Sequence, residues 1–123
     1  MDRHGLREDI RKSVEGNAWH GPSVSDTLQG VSAVEAAWRP PGEAHSISEL
    51  TLHIAAWMEE VADRLEGNYH QQPIAGDFPN AAGELSERDW EFARQRLEET
   101  LVRLCAVIDA FPEERLTVEA DQV

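Results

Sequence analysis

At 123 residues the chain is long enough for one domain and too short for two of ordinary size, and its 24 Asp and Glu against 11 Lys and Arg give a formal charge of −13. That field repels phosphate backbones and anionic lipid surfaces, which argues against nucleic-acid and membrane-surface roles; its plainest use is solubility. A single cysteine, Cys105, excludes an internal disulfide, a zinc ribbon and a CxxC redox pair, and short apolar runs with a charged N-terminus leave no membrane span or signal peptide, so a soluble, unprocessed, cytoplasmic protein is expected.

Residues 4–16 place Leu6, Ile10 and Val14 on one line of a short amphipathic helix that Gly16 can close. Gly and Pro in residues 17–23 interrupt the pattern, after which Ser23 can cap a second helix bearing Leu28, Val31, Val34 and Trp38, with Gly30 and Ser32 marking a break midway. The paired prolines Pro40 and Pro41 make residues 39–44 a loop, because proline removes a backbone donor and restricts the residue before it.

The chain is organised around the stretch 46–67. Ser46 and Glu49 match a capping box, and Ile47, Leu50, Ile54, Trp57, Met58, Val61 and Leu65 recur at the three-and-four spacing of one buried helical face. Gly67 and Asn68 supply the stop. His53 falls on the flank of that stripe, with Glu49 and Glu60 on the same edge. Residues 68–84, rich in Pro and Gly, predict a long crossover rather than a strand pair, and no alternating β pattern occurs elsewhere. Ser86 and Asp89 then open a long helix whose apolar line is Trp90, Ala93, Leu97, Leu101, Leu104, Ile108 and Phe111, a spacing suited to antiparallel bundle packing, with Pro112 ending it. Cys105 lies within that run as a small, unreactive hydrophobe. Residues 113–123 offer Leu116 and Val118 as anchors of a tail or connector. The fold class is therefore all-α, with two long helices and an interrupted helical N-terminal third that a fourth helix would cover better.

Several clusters, taken together, resemble the DinB-like family of bacterial proteins: the WHGPS loop at 19–23, the Arg39-Pro40 turn, the His45-Ser46-Ile47 helix start, the HIAAW and RLEG segments, the SERDWEFARQRLEETLVRL helix and the FPEERL turn. The resemblance implies an up-down-down-up four-helix bundle, usually a homodimer, with a divalent-metal site of three histidines. One family ligand matches His53; the other two form an HxxxH pair on a final helix. No HxxxH occurs in this sequence, so the expectation is a single DinB-like domain over 1–123, C-terminally truncated, with its fourth helix missing or incomplete and its metal site incomplete. Some family members are thiol-dependent transferases or isomerases acting through the metal, which implies a metal-dependent transferase or hydrolase with a small thiol or other small-molecule ligand.

Two readings of His53 stand side by side: a ligand to Zn, Ni or Fe whose ring a carboxylate such as Glu49 or Glu60 orients, or a half-buried histidine bonded at a helix interface. His20, beside Trp19 in the WHGPS loop, and Trp57 are candidates to line the cavity, with turn packing and core packing as their alternatives. His45 reads as a capping or staple residue, and His70 and His4 as exposed loop and terminal residues. The competing function, from another class, is a non-catalytic helical dimerisation or ligand-binding module.

Overall fold

The computed structural model describes residues 3–15, 24–42, 44–78 and 85–112, and among these every regular element is an α-helix, without a strand. The elements are α1 (Arg3–Glu15), α2 (Val24–Leu28), α3 (Ala33–Ala37), α4 (Ile47–Leu65) and α5 (Glu87–Ala110). The proposed caps at Gly16 and Ser23, the WHGPS loop and the tail 113–123 lie outside the described residues.

Serines set the helix starts. Ser46 accepts from the Glu49 amide while the Glu49 carboxylate accepts from the Ser46 amide, and Ser86 with Asp89 repeats the exchange. A third capping box, Ser32 with Glu35, starts α3 after Gly30, whose φ of +79° closes α2 in the left-handed region. The break expected near Gly30 and Ser32 is thus real. It resets the helical phase, and Val34 (79% exposed) and Trp38 (63%) therefore face solvent instead of continuing the stripe from Leu28. Ala33 and Ala36 are buried in their place.

At the other end of α4, Asn68 N–H donates to Asp63 O at 2.8 Å and Gly67 N–H to Arg64 O at 3.0 Å, a Schellman stop that the φ of +93° at Gly67 allows.

The α5 line behaves as its spacing predicts: Trp90, Ala93, Leu97, Leu101, Leu104, Ile108 and Phe111 are all buried. They form the core with Val14, Leu28, Leu52, Met58 and Ala62. Packing directions follow from the cross-helix bonds. Arg96 pairs with Glu59, and Arg103 with Asp63 and Glu66, so residue numbers rise together and α4 and α5 run parallel. Arg7 meets Asp109, whereas the Trp90 indole donates to Val31 O and the Ala33 amide to the Glu87 carboxylate, so the N-terminal third runs antiparallel to α5. The antiparallel packing expected for α5 thus holds toward α1–α3 and not toward α4. A parallel pair needs the intervening chain to return toward the starting end, and its described residues 68–78 run back along α4.

The stripe of α4 corrects the sequence reading. Ile47 (36% exposed) and Leu50 (45%) face solvent, Ile54, Trp57, Val61 and Leu65 are half-buried, and Met58 alone of the predicted stripe is buried. The face turned inward carries Ser48, Thr51, Leu52, Ala55, Ala56 and Ala62. Small side chains let neighbouring backbone come close, so the face with the larger apolar side chains is left with less cover.

Candidate metal centre

The crossover runs back along α4. His70 lies against Glu60, Asp77 against Trp57 and His53, and Phe78 against His53 and His45. A turn closed by Gly76 N–H on Pro73 O at 2.9 Å, with Gly76 at φ +96°, directs Asp77 and Phe78 onto the helix.

His53 Nδ1 is 2.6 Å from the Asp77 main-chain carbonyl and 3.1 Å from Asp77 Oδ1. A carbonyl only accepts, so Nδ1 carries the proton and donates, and in the neutral ring Nε2 keeps its lone pair. Phe78 stacks on the His53 ring at 4.3 Å with an interplanar angle of 12°, and His45 stacks on Phe78 at 3.7 Å and 6°. The Trp57 indole donates to Asp77 Oδ1 at 2.7 Å. Asp77, and neither Glu49 nor Glu60, therefore orients the His53 ring.

Those two glutamates serve other networks. Glu49 (2% exposed) accepts from Arg39 Nε at 2.6 Å, from the Ser46 amide at 3.1 Å and stands 3.1 Å from His45 Nδ1. Burial pushes its carboxyl up, but the hydrogen bonds from Arg39, His45 and Ser46 outweigh that and hold it down at about 2. His45 is thus a ring stacked on Phe78 and bonded to Glu49, while Ser46 is the cap.

Glu60 (1% exposed) accepts from the His70 amide at 2.8 Å and Arg64 Nε at 2.9 Å, with His70 Nδ1 at 2.8 Å. Burial again raises this carboxyl, and the bonds from His70 and Arg64 lower it below its ordinary value. His70 is therefore not the exposed loop residue of the sequence reading: a buried carboxylate requires partners, and the loop supplies one. Glu60 also lines a cavity of about 180 Å³ with Ala56, Glu59, Asp63, Ile74 and Ala75.

Glu60, Asp63 and His70 bring ligand atoms within 4.8 Å of one another, a group able to hold a metal ion. Its acceptors are already engaged, since Arg64 and His70 take Glu60 and Arg103 takes Asp63 at 2.7 Å. The 2.8 Å between His70 Nδ1 and Glu60 Oε1 is a hydrogen bond, tighter than the roughly 3.3 Å between neighbouring ligands at 2.0–2.1 Å from a tetrahedral ion. His53 differs. Its Nδ1–H is bonded to a carbonyl, the arrangement that histidine ligands use, and its side chain is partly exposed. It fits as one ligand; one imidazole does not hold an ion by itself.

The structure brings together His53 and Trp57 through Asp77, and places Glu49 and Glu60 in separate clusters on either side of them along α4. His20 lies outside the described residues. The sequence reading missed Asp77, Phe78 and the part played by His70, since a loop has no periodicity to show which residues turn toward a helix.

No curated protein and no solved structure matches the chain significantly. No helix among the described residues is long and apolar enough to cross a membrane. The sequence model of the DinB superfamily matches residues 19–121, a stretch that includes α2 to α5 with His53 and the crossover that orients it, and the chain belongs to that superfamily.

Proposed function

We propose that the chain is a divalent-metal-binding bundle in which His53 is a ligand through Nε2, the further ligands coming from outside the described residues. The observation that carries this is the Nδ1–H bond to the Asp77 carbonyl, which leaves the other ring nitrogen basic and fixed in direction. The proposed reaction class is thiol-dependent group transfer on a small molecule. A bound Zn, Ni or Fe ion would supply positive charge that favours the thiolate or hydroxide form of a coordinated group. The chain's own contribution is to hold the imidazole in a fixed orientation and to pack Phe78 flat on it and Trp57 edge-on to it.

The test is calorimetric titration of tag-free protein with Zn²⁺, Ni²⁺ and Fe²⁺, repeated on the chain extended by a helix bearing an HxxxH pair. Binding that His53→Ala removes and His70→Ala leaves intact supports the assignment. Binding that follows His70 would move the ion to the Glu60 cluster, and no binding to either protein overturns the proposal.

A second reading, a helical homodimerisation module, is favoured by the exposed Ile47 and Leu50 on the α4 stripe. Sedimentation of a clean monomer at micromolar concentration would count against it, as would unchanged association after Leu50→Glu.

A further inference from the structure

We propose that Asp77 is the positioning residue of His53, acting through both its carbonyl and its carboxylate, with Trp57 as the residue that locks it. The purpose given to this arrangement rests on the metal reading of His53; the arrangement itself belongs to the chain. Nδ1 lies 2.6 Å from Asp77 O and 3.1 Å from Asp77 Oδ1. The carbonyl has no proton to give and the ionised carboxylate has none either, so both hold Nδ1 as the donor. Turning the ring over would set a C–H against these two acceptors and forfeit the bond.

The lock comes from the same helix one turn later. Trp57 donates its indole N–H to Asp77 Oδ1 at 2.7 Å, so His53 and Trp57, at i and i+4, close on one crossover residue from two directions. Phe78 follows directly and lies flat on the imidazole, 4.3 Å away, with His45 on its other face. The far end of the crossover is tied separately, by Glu60 to the His70 amide and ring and by Arg64 to the His70 carbonyl at 2.9 Å. The described part of the crossover is thereby tied to α4 at two places, and the contact at Asp77 fixes which nitrogen of His53 is left without a proton.

Nitrogen-15 NMR of the imidazoles in the metal-free chain at about pH 8, where an ordinary histidine is neutral, reads the tautomer directly. The wild type is expected to show Nδ1–H with a bare Nε2. Trp57→Phe removes the indole donor and Asp77→Ala removes the carboxylate while keeping the carbonyl; each is expected to show a new Nε2–H population. Asp77→Asn, whose amide oxygen still accepts from Trp57, should restore the wild-type tautomer. Where metal binds, Zn²⁺ affinity should fall about 10- to 100-fold in the first two variants and recover in the third.

An Nε2–H tautomer in the wild type overturns the proposal even if both variants fail to fold. So does an unchanged tautomer in folded Trp57→Phe and Asp77→Ala. Failure of Zn²⁺ to bind while the tautomer still responds to Trp57 and Asp77 overturns the metal reading and leaves the positioning role standing.

Discussion

Replacing Glu49 by Gln removes a negative charge at a buried position while keeping the oxygen that completes the capping box with Ser46. The carboxyl is held at about 2 against an ordinary 4.5, because Arg39, His45 and Ser46 favour the charged form more strongly than burial disfavours it. Its value in the folded chain lies below that in the unfolded chain, so the stabilisation is fully present above pH 4.5 and is lost as the pH falls toward 2. At about 1.4 kcal/mol for each tenfold change in proton affinity, the interval corresponds to roughly 3 kcal/mol as an upper figure. Arg39 is half in solvent, which screens part of that attraction, so about 2 kcal/mol is expected. Urea unfolding at about pH 7 should show Glu49→Gln less stable by this amount, and the gap should close as the pH is lowered to about 2.5, since the wild type alone gives up this contribution. A difference below about 0.5 kcal/mol at neutral pH, or two parallel acid limbs, would refute the argument that this network is a net stabiliser.

Leu101, 1% exposed at the middle of α5, should cost about 2–5 kcal/mol when cut to Ala, read as a fall in the urea midpoint without a change in slope. Trp90→Phe leaves the Val31 carbonyl without the indole donor at 2.8 Å and should cost about 1–3 kcal/mol in the same assay. Gly30→Ala meets no atom within 4 Å yet must hold φ +79°, and a loss of about 1–2 kcal/mol by thermal melting separates backbone strain from crowding. Burial pushes the Cys105 thiol up, so a thiol reagent should label it only as fast as the chain unfolds; rapid labelling in native buffer would show that α5 opens locally.

Much of this protein was determined by short-range pattern. The three serine caps, the Gly67 stop and the α5 line from Trp90 to Phe111 depend on residues within one or two turns of each other, and sequence spacing expresses that directly. The Ser32 box was as legible as the other two, although only the break itself was read from it. His53 was found from its place beside an apolar stripe and from the family motif, and it is held by bonds that fix one of its nitrogens.

Tertiary structure decided the rest. Which face of α4 is covered depends on what packs on it: Leu52, Met58 and Ala62 join the core with α5, and Ala56 lines a cavity with Ile74 and Ala75 of the crossover, whereas Ile47 and Leu50 are exposed. The partner of His53 is 24 residues away in sequence, and that of Glu60 is 10 away, both in a crossover without periodicity. Helical spacing places side chains on a face; it carries no information about which loop lies across that face, because the path of the crossover follows from the buried carboxylate it must satisfy and from the parallel helix it must reach.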